Sequence, residues 1–188
     1  DNIKKFTNGK FYPHKQLATH AKSAKEEDKP LPKKLNLDSK LRSGKKGFLV
    51  HESDLSPNSL NEYDMILIQG NPLKSTSRSS LVQSFISDAL KEYQKKCTED
   101  QKCDVVLINL EDTEMIKKLM DENGLSSLSS YYPALGAVND QIQKLRNEGV
   151  LVDYQYQKWD RSFWPHSSKG FFKLKSKIPK ILEQLNCM

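Results

Sequence analysis

The sequence has only three cysteines in 188 residues, and their spacing is not that of a metal site or a redox pair. Cys97, Cys103 and Cys187 form no C-x-x-C pair, and no histidine lies at zinc-finger spacing from them. A disulfide between Cys97 and Cys103 would fit the short polar turn between them, but reduced thiols are favoured for a reducing compartment. We therefore predict no metal site.

Long apolar runs are also absent. The longest uncharged apolar stretch surrounds residues 65–69 and falls far short of the roughly 20 residues that a membrane-spanning helix needs. The mean hydropathy of −0.71 is typical of a chain with much polar surface. No membrane span is expected. The chain begins at Asp1 without an apolar signal core, which is compatible with a cleaved presequence.

What the sequence does have is positive charge at both ends. Residues 1–50 hold 13 Lys and Arg against 5 Asp and Glu, and residues 158–188 hold 7 against 2. The residues between them hold 10 against 17, so the net charge of +6 hides an acidic middle. Basic extensions on a compact domain are typical of proteins that bind an anionic polymer, and RNA is the first candidate.

Residues 1–46 show neither the strand period nor the helix period, and prolines and paired lysines recur in them. Such a segment cannot bury enough apolar area to fold alone, so we predict an extended basic arm that a partner holds in place. An arm folded back over its own domain is the alternative. The arm cations predicted to bind RNA are Lys4, Lys5, Lys10, Lys15, Lys33, Lys34, Arg42, Lys45 and Lys46.

Residues 47–188 are predicted to form a single α/β domain. Strands are expected at 48–50, 65–69 and 104–110, the first at an edge of the sheet and the last at its centre because its apolar run is continuous. A helix is expected from residue 80 to about residue 96, with apolar residues at helical spacing. Strand, helix and strand in this order imply a right-handed parallel crossover.

The second half of the domain is predicted to begin with a short helix that ends at Asn123 and Gly124. A serine-rich link follows at 126–130, and a helix is expected over 133–148. Alternating apolar and polar residues over 150–157 predict a strand with one buried face.

Written as β-α-β-α-α-β-β-α, this order resembles that of thioredoxin-like folds, which a number of mitochondrial ribosomal proteins use. The resemblance covers roughly residues 63–185 and implies a small mixed sheet flanked by helices. It does not imply disulfide chemistry, because residues 71–75 read Asn-Pro-Leu-Lys-Ser where a redox protein carries C-x-x-C. A flavodoxin-like order is the alternative.

The loop 70–80 joins a strand end to a helix start, where backbone N–H groups and the helix dipole favour an anion. With Lys74, Arg78 and several hydroxyls, it is similar to the phosphate loop of flavodoxin-like NAD(P)H:flavin reductases. It departs from them at Asn71, where a small hydroxyl residue is usual, and it lacks the second glycine of a P-loop. An RNA phosphate bound by Lys74 and Arg78 is favoured over FMN, and a solvated loop is the other interpretation. No cofactor is predicted, because the thiol pair is absent and the pattern of a flavin-binding loop at 70–80 is incomplete.

The segment 158–188 interleaves both tryptophans of the chain with cations, which is the composition of a single-strand RNA site. An edge strand is expected at 171–174, with its lysines on one face, and a closing helix at 178–185. The alternative, favoured for the aromatic residues, is that they pack into the core beside a solvated basic edge. The candidate phosphate ligands are Arg161, Lys169, Lys173, Lys175 and Lys177.

No catalytic signature accompanies these features. His14, His20, His51 and His166 have no ligand-spaced partners and are expected to be lone surface residues. His166 beside Ser167 lacks the orienting acid that a nucleophile and base would need. An enzyme is therefore not expected.

These observations predict a structural, RNA-associated component of a large ribonucleoprotein, with rRNA or another structured RNA and neighbouring proteins as partners. The mitochondrial ribosome is the leading example, because a basic arm and a thioredoxin-like domain without its cysteines resemble proteins of that particle. This implies the mitochondrial matrix, with the cytoplasm as the alternative. The competing functions are a flavodoxin-like NAD(P)H:flavin oxidoreductase and an assembly factor whose arm binds a protein.

Overall fold

The strands of the domain form one parallel sheet. The computed structural model describes residues 43–56, 60–74, 77–100, 102–133 and 135–186, with backbone alone at Ser168 and Lys169. In this part of the chain five strands pair in the order β3-β2-β1-β4-β5, and each neighbouring pair is parallel. The strands are β1 (Lys45–Val50), β2 (Met65–Gln69), β3 (Asp104–Ile108), β4 (Leu125–Tyr131) and β5 (Val152–Gln155).

Helices follow the later strands. After β2 comes a long helix, after β3 and β4 a shorter one each, and a run of short helices follows β5. The helices of the described ranges are α1 (Ser80–Asp100), α2 (Thr113–Asn123), α3 (Ala137–Asn147), α4 (Lys158–Phe163), α5 (Phe171–Lys175) and α6 (Ile178–Gln184), with a 3-10 helix at Trp164–Lys169.

The predicted α/β class is confirmed. The parallel sheet is consistent with the flavodoxin-like alternative. Flavodoxin-like folds belong to the doubly wound class, in which crossover connections join parallel strands. The sheet is therefore parallel throughout its described strands and not mixed as expected. From β1 the chain moves outward through β2 to β3, then returns to add β4 and β5 on the other side of β1.

The central strand and one edge strand are exchanged relative to the prediction. β1, expected at an edge, lies between β2 and β4, and its residues Phe48, Leu49 and Val50 are buried. β3, expected at the centre, forms an edge, and Leu107 in it is exposed. A run of apolar residues reports burial above and below a strand, but it says nothing about how many strands lie beside it.

The serine-rich segment expected to be a link forms most of β4. Leu125 and Leu128 are buried in it, and so are Ser127, Ser129 and Ser130. The hydroxyl of Ser130 donates to the carbonyl oxygen of Leu49 at 2.9 Å, which satisfies a buried polar side chain. The prediction of a link was wrong because polar composition suggested exposure to water. In β4 the serine hydroxyl instead bonds to the neighbouring strand.

Two apolar layers cover the sheet. Leu49 and Leu67 belong to the layer under α2 and α3, while Phe48 and Ile66, one residue earlier in each strand, belong to the layer under α1. This is the alternation of a strand that is buried on both faces. The sheet with its two layers thus forms the core from which the loops and the C-terminal helices extend.

The helices differ from the prediction mainly at their ends. α1 continues to Asp100, and its first turns leave Leu81 and Phe85 exposed although their spacing predicted a core face. α3 begins at residue 137 and not at 133. The predicted end of α2 is confirmed, because Gly124 takes the left-handed conformation that ends a helix.

The C-terminal segment is helical where a strand was expected. Residues 171–174 lie in α5, so the predicted edge strand is wrong, whereas the closing helix with Pro179 in its first turn is confirmed as α6. Successive helical residues are about 100° apart, which turns Lys173 and Lys175 toward opposite sides of α5. The predicted single face of lysines is therefore not formed.

Candidate nucleic-acid interface

The carboxyl ends of the parallel strands meet along one edge of the sheet. In doubly wound proteins ligands bind at this edge, at the point where the crossovers change direction. That point lies between β1 and β4, whose carboxyl ends lead into His51 and Tyr132. The side chains that follow β1 therefore decide whether this edge is open to a ligand.

His51 closes part of this edge and is not the surface residue that was expected. Its side chain is buried, with 1% of the residue exposed. Ser53 donates its backbone N–H to Nδ1 at 3.3 Å, so the ring proton lies on Nε2, which donates to the carbonyl oxygen of Tyr131 at 3.0 Å. Burial lowers the pKa of His51 and keeps the ring neutral. The imidazole therefore joins the ends of β1 and β4.

Glu52 fills the adjoining position with a buried charge. Its side chain is 3% exposed, and its Oε1 lies 2.6 Å from Nη2 of Arg78. Its Oε2 accepts hydrogen bonds from the amide of Gln69 at 3.0 Å and from the backbone N–H of Leu73 at 3.3 Å. The hydrogen bond with Glu52 raises the pKa of Arg78. Arg78 is thus paired with Glu52 within the protein, and its role as an RNA ligand stays a prediction.

The loop 70–80 places its backbone donors on carboxylates of the same chain. Besides the bond from Leu73 to Glu52, the backbone N–H of Lys74 donates to Oε2 of Glu111 at 3.3 Å. The loop attracts anions, as its position between a strand and a helix predicts, but these anions are side chains. In this loop only the exposed side chain of Lys74 still extends toward solvent as a predicted phosphate ligand.

The predicted basic residues do not come together at one place. Lys45 and Lys46 begin β1, whereas Lys74 and Arg78 follow the carboxyl end of β2. The first pair therefore lies at the amino ends of the parallel strands and the second at their carboxyl ends, roughly 17 to 20 Å away. The arm residues lie outside the described part of the chain. These are Lys4, Lys5, Lys10, Lys15, Lys33, Lys34 and Arg42.

The C-terminal segment retains the features predicted for an RNA site. Helix α4 contacts both the 3-10 helix and α6, and the 3-10 helix contacts α5, so these short elements form one layer. The side chain of Lys169 is not described. The remaining predicted cations of this segment are all exposed, namely Arg161, Lys173, Lys175 and Lys177.

The large aromatic residues of this segment are exposed and not packed into the core as favoured. Trp159 is 52% exposed, Trp164 41%, Phe171 63% and Phe172 86%. Only Phe163 is half-buried, with its ring 4.4 Å from that of Trp159. We define the C-terminal surface as these four exposed aromatic residues together with Arg161, Lys173, Lys175 and Lys177.

Tyrosines at the strand ends extend this surface, and the sequence analysis missed them. The ring of Tyr132 stacks on Tyr156 at 5.3 Å and meets Trp164 edge-on at 6.2 Å. Tyr132 follows β4 and Tyr156 follows β5, so neighbouring parallel strands bring the two rings together. The tyrosines could have been placed only if residues 126–131 had been recognised as a strand.

Neither a family model nor a curated protein nor a solved structure matches this chain. Within the described ranges, no group of three or more His, Cys, Asp or Glu side chains could hold a metal ion. In the same ranges, no helix combines the length and apolar character needed to cross a membrane. The function must therefore be inferred from the surfaces themselves.

Replacing Arg78 by Ala should destabilise the domain, because it leaves the carboxylate of Glu52 buried without its counter-charge. We expect the free energy of unfolding in urea to fall by about 2 to 3 kcal/mol. Lys74→Ala, in the same loop but exposed, should change it by less than about 0.5 kcal/mol. The double variant E52Q/R78A should recover part of the lost stability, because the Gln side chain leaves no buried charge without a partner. Equal, small losses for R78A and K74A would contradict the buried ion pair.

The buried neutral His51 should make stability depend on pH. The unfolded chain takes up a proton near pH 6.5 that the folded ring binds only at lower pH, so stability is complete above about pH 6.5 and declines below it. The slope from this group cannot exceed about 1.4 kcal/mol per pH unit. His51→Gln should flatten the urea-unfolding curve between about pH 7 and 5, whereas His166→Gln, at an exposed site, should not. Parallel curves for wild type and H51Q would rule out this role.

Proposed function

We propose that this protein binds single-stranded RNA, without catalysing a reaction, through its C-terminal surface. The observation that carries the proposal is the exposure of four large aromatic side chains in a segment with seven cations and two anions. Aromatic faces stack on unpaired bases of any sequence, and ammonium and guanidinium groups neutralise the phosphates between them. The combination suits RNA as a partner.

The exposure of these rings supports a binding role because it is unfavourable in water. Trp, Phe and Tyr bury large apolar areas when they pack, so leaving four such rings in solvent forgoes a substantial stabilisation. An apolar protein partner could also cover them. The exposed Arg161, Lys173, Lys175 and Lys177 among them favour a partner that carries negative charge at short intervals.

We propose further that the protein is a structural component of a ribonucleoprotein, with the mitochondrial ribosome as the leading example. The charge distribution supports this, because two basic ends flank an acidic middle that RNA would repel. Such a chain would contact RNA with its ends and present its acidic domain to neighbouring proteins. The mitochondrial matrix is the compartment that this proposal implies.

The flavin-reductase alternative receives less support from the loop 70–80. A flavin phosphate would need the backbone N–H groups of Leu73 and Lys74, and these already donate to Glu52 and Glu111. Two carboxylates at the same place would also repel a phosphate. The assembly-factor alternative depends on the arm, most of which lies outside the described residues.

Removing the cations of the C-terminal surface should reduce the salt dependence of RNA binding. Each phosphate contact that is lost lowers the slope of log affinity against log salt by about 0.7 for a single strand. The fourfold variant R161A/K173A/K175A/K177A should therefore lose up to about 3 units of slope between about 50 and 200 mM salt. Fluorescence anisotropy of a labelled oligonucleotide of about 12 nucleotides would measure it.

The matched control removes the same charge elsewhere. Lys91 and Lys95 on α1 and Lys117 and Lys118 on α2 are exposed or half-buried, and their fourfold Ala variant should keep the wild-type slope. A slope that falls equally in both fourfold variants would show that binding follows the net charge and not this surface.

The exposed rings should contribute to binding more than to stability. Phe172→Ala and Trp164→Ala should each weaken RNA binding by about 1 to 3 kcal/mol, because a stacked base loses its partner. The free energy of unfolding should change by less, above all for Phe172, which is 86% exposed against 41% for Trp164. Leu81→Ala, at an exposed apolar site on α1, is the control. A large loss of stability with unchanged RNA affinity would contradict the proposal.

A further inference from the structure

A groove opens on the face of the sheet that carries α1, next to the C-terminal surface. It has a volume of about 410 Å³, within the range of small-ligand sites, and lies between the loop before β2 and the residues that follow β5. Its walls are formed by Phe48, Leu60, Glu62, Tyr63, Tyr131, Gln155, Tyr156, Gln157, Lys158 and Trp159.

The groove has an aromatic floor. Phe48 in β1 is 1% exposed, and the rings of Tyr63 and Tyr131 lie 4.8 Å and 5.0 Å from it. Leu60 is buried beside them. The half-buried rings of Tyr131 and Tyr156 continue this aromatic cluster into the groove, where another planar ring can pack edge-on or offset. A flat, aromatic ligand fits such a floor better than a flexible aliphatic one.

The rim of the groove carries hydrogen-bonding groups of known character. Glu62 and Lys158 are exposed, and Gln155 is half-buried at the end of β5. Burial raises the pKa of Tyr63 to about 12, so its hydroxyl stays protonated at neutral pH. The rim also offers the carboxylate of Glu62, which only accepts hydrogen bonds, and the amide of Gln155, which both donates and accepts them.

The groove is continuous with the C-terminal surface. Trp159 belongs to both, and Lys158 next to it stands at the mouth of the groove. A strand that stacks on Trp159 would therefore pass this mouth with its phosphates near Lys158. A base turned out of that strand would lie against the half-buried rings of Tyr131 and Tyr156, above the buried Phe48.

We propose that the groove binds one unstacked base of the RNA, and that it prefers a base with an exocyclic amino group to uracil. The inference rests on the proposed function and assigns a specific site within it. The carboxylate of Glu62 can accept a hydrogen bond from the amino group of adenine or cytosine, and the amide of Gln155 can complete the pair. Uracil would instead turn a carbonyl oxygen toward that carboxylate.

Trp159 can report the occupancy of the groove. The chain has two tryptophans, so Trp164→Phe leaves Trp159 as the sole indole. Titrating this variant with oligo(A), oligo(C) and oligo(U) of equal length should quench its fluorescence. The affinity for oligo(A) and for oligo(C) should be at least about fivefold higher than the affinity for oligo(U). Glu62→Gln in the same background should reduce that ratio to about twofold or less, because a Gln amide can donate to the uracil carbonyl.

The outcomes separate this site from the proposed function. Glu114→Gln, an exposed carboxylate on α2, should keep both the base preference and the salt slope and so serves as the control. Equal affinity for the three oligonucleotides with a normal salt slope would overturn the groove site and leave RNA binding in place. A preference that survives E62Q would also overturn it. The absence of binding to all three would overturn both proposals.

Discussion

The burial of β1 constrains the rest of the domain. This strand has neighbours on both sides and apolar layers on both faces, so the polar groups at its carboxyl end must be satisfied by the protein itself. His51 reaches the backbone of β4, while Glu52 binds Arg78, Gln69 and the loop after β2. These bonds hold three strand ends in place and fill the position at which doubly wound proteins receive their ligands. The exposed aromatic and basic residues lie beyond β5 instead.

Much of the domain could be predicted from local patterns. β2 and β5, the end of α2 at Gly124 and the closing helix α6 follow from periodicity, capping and proline position. The order of the strands could not, because the apolar residues of β1 and β3 indicate burial of the strand faces and not the number of neighbouring strands. β4 was not predicted for another reason. The hydroxyl of Ser130 bonds to the backbone of β1 and not to water, which composition cannot reveal.

The candidate site was predictable in composition but not in geometry. Interleaved aromatic and basic residues after 158 indicated a surface for RNA, yet the same pattern allowed buried rings, and only the structure shows which rings are exposed. The lysines were predicted on one face because 171–174 was interpreted as a strand, whereas in the helix α5 Lys173 and Lys175 point to opposite sides. The groove was beyond the sequence, since its walls come from β1, the loop before β2, and the ends of β4 and β5.

The return of the chain from β3 to β4 has a consequence for its biosynthesis. β1 pairs with β4 in a register that joins Lys45 to Leu125, so one side of β1 stays uncovered until the ribosome has released the chain well beyond Tyr131. At about 5 to 20 residues per second, the nascent chain spends several seconds with an unpaired apolar strand edge. An edge of this kind can pair with other chains, so the first half of the domain is open to wrong strand pairing until β4 has been synthesised.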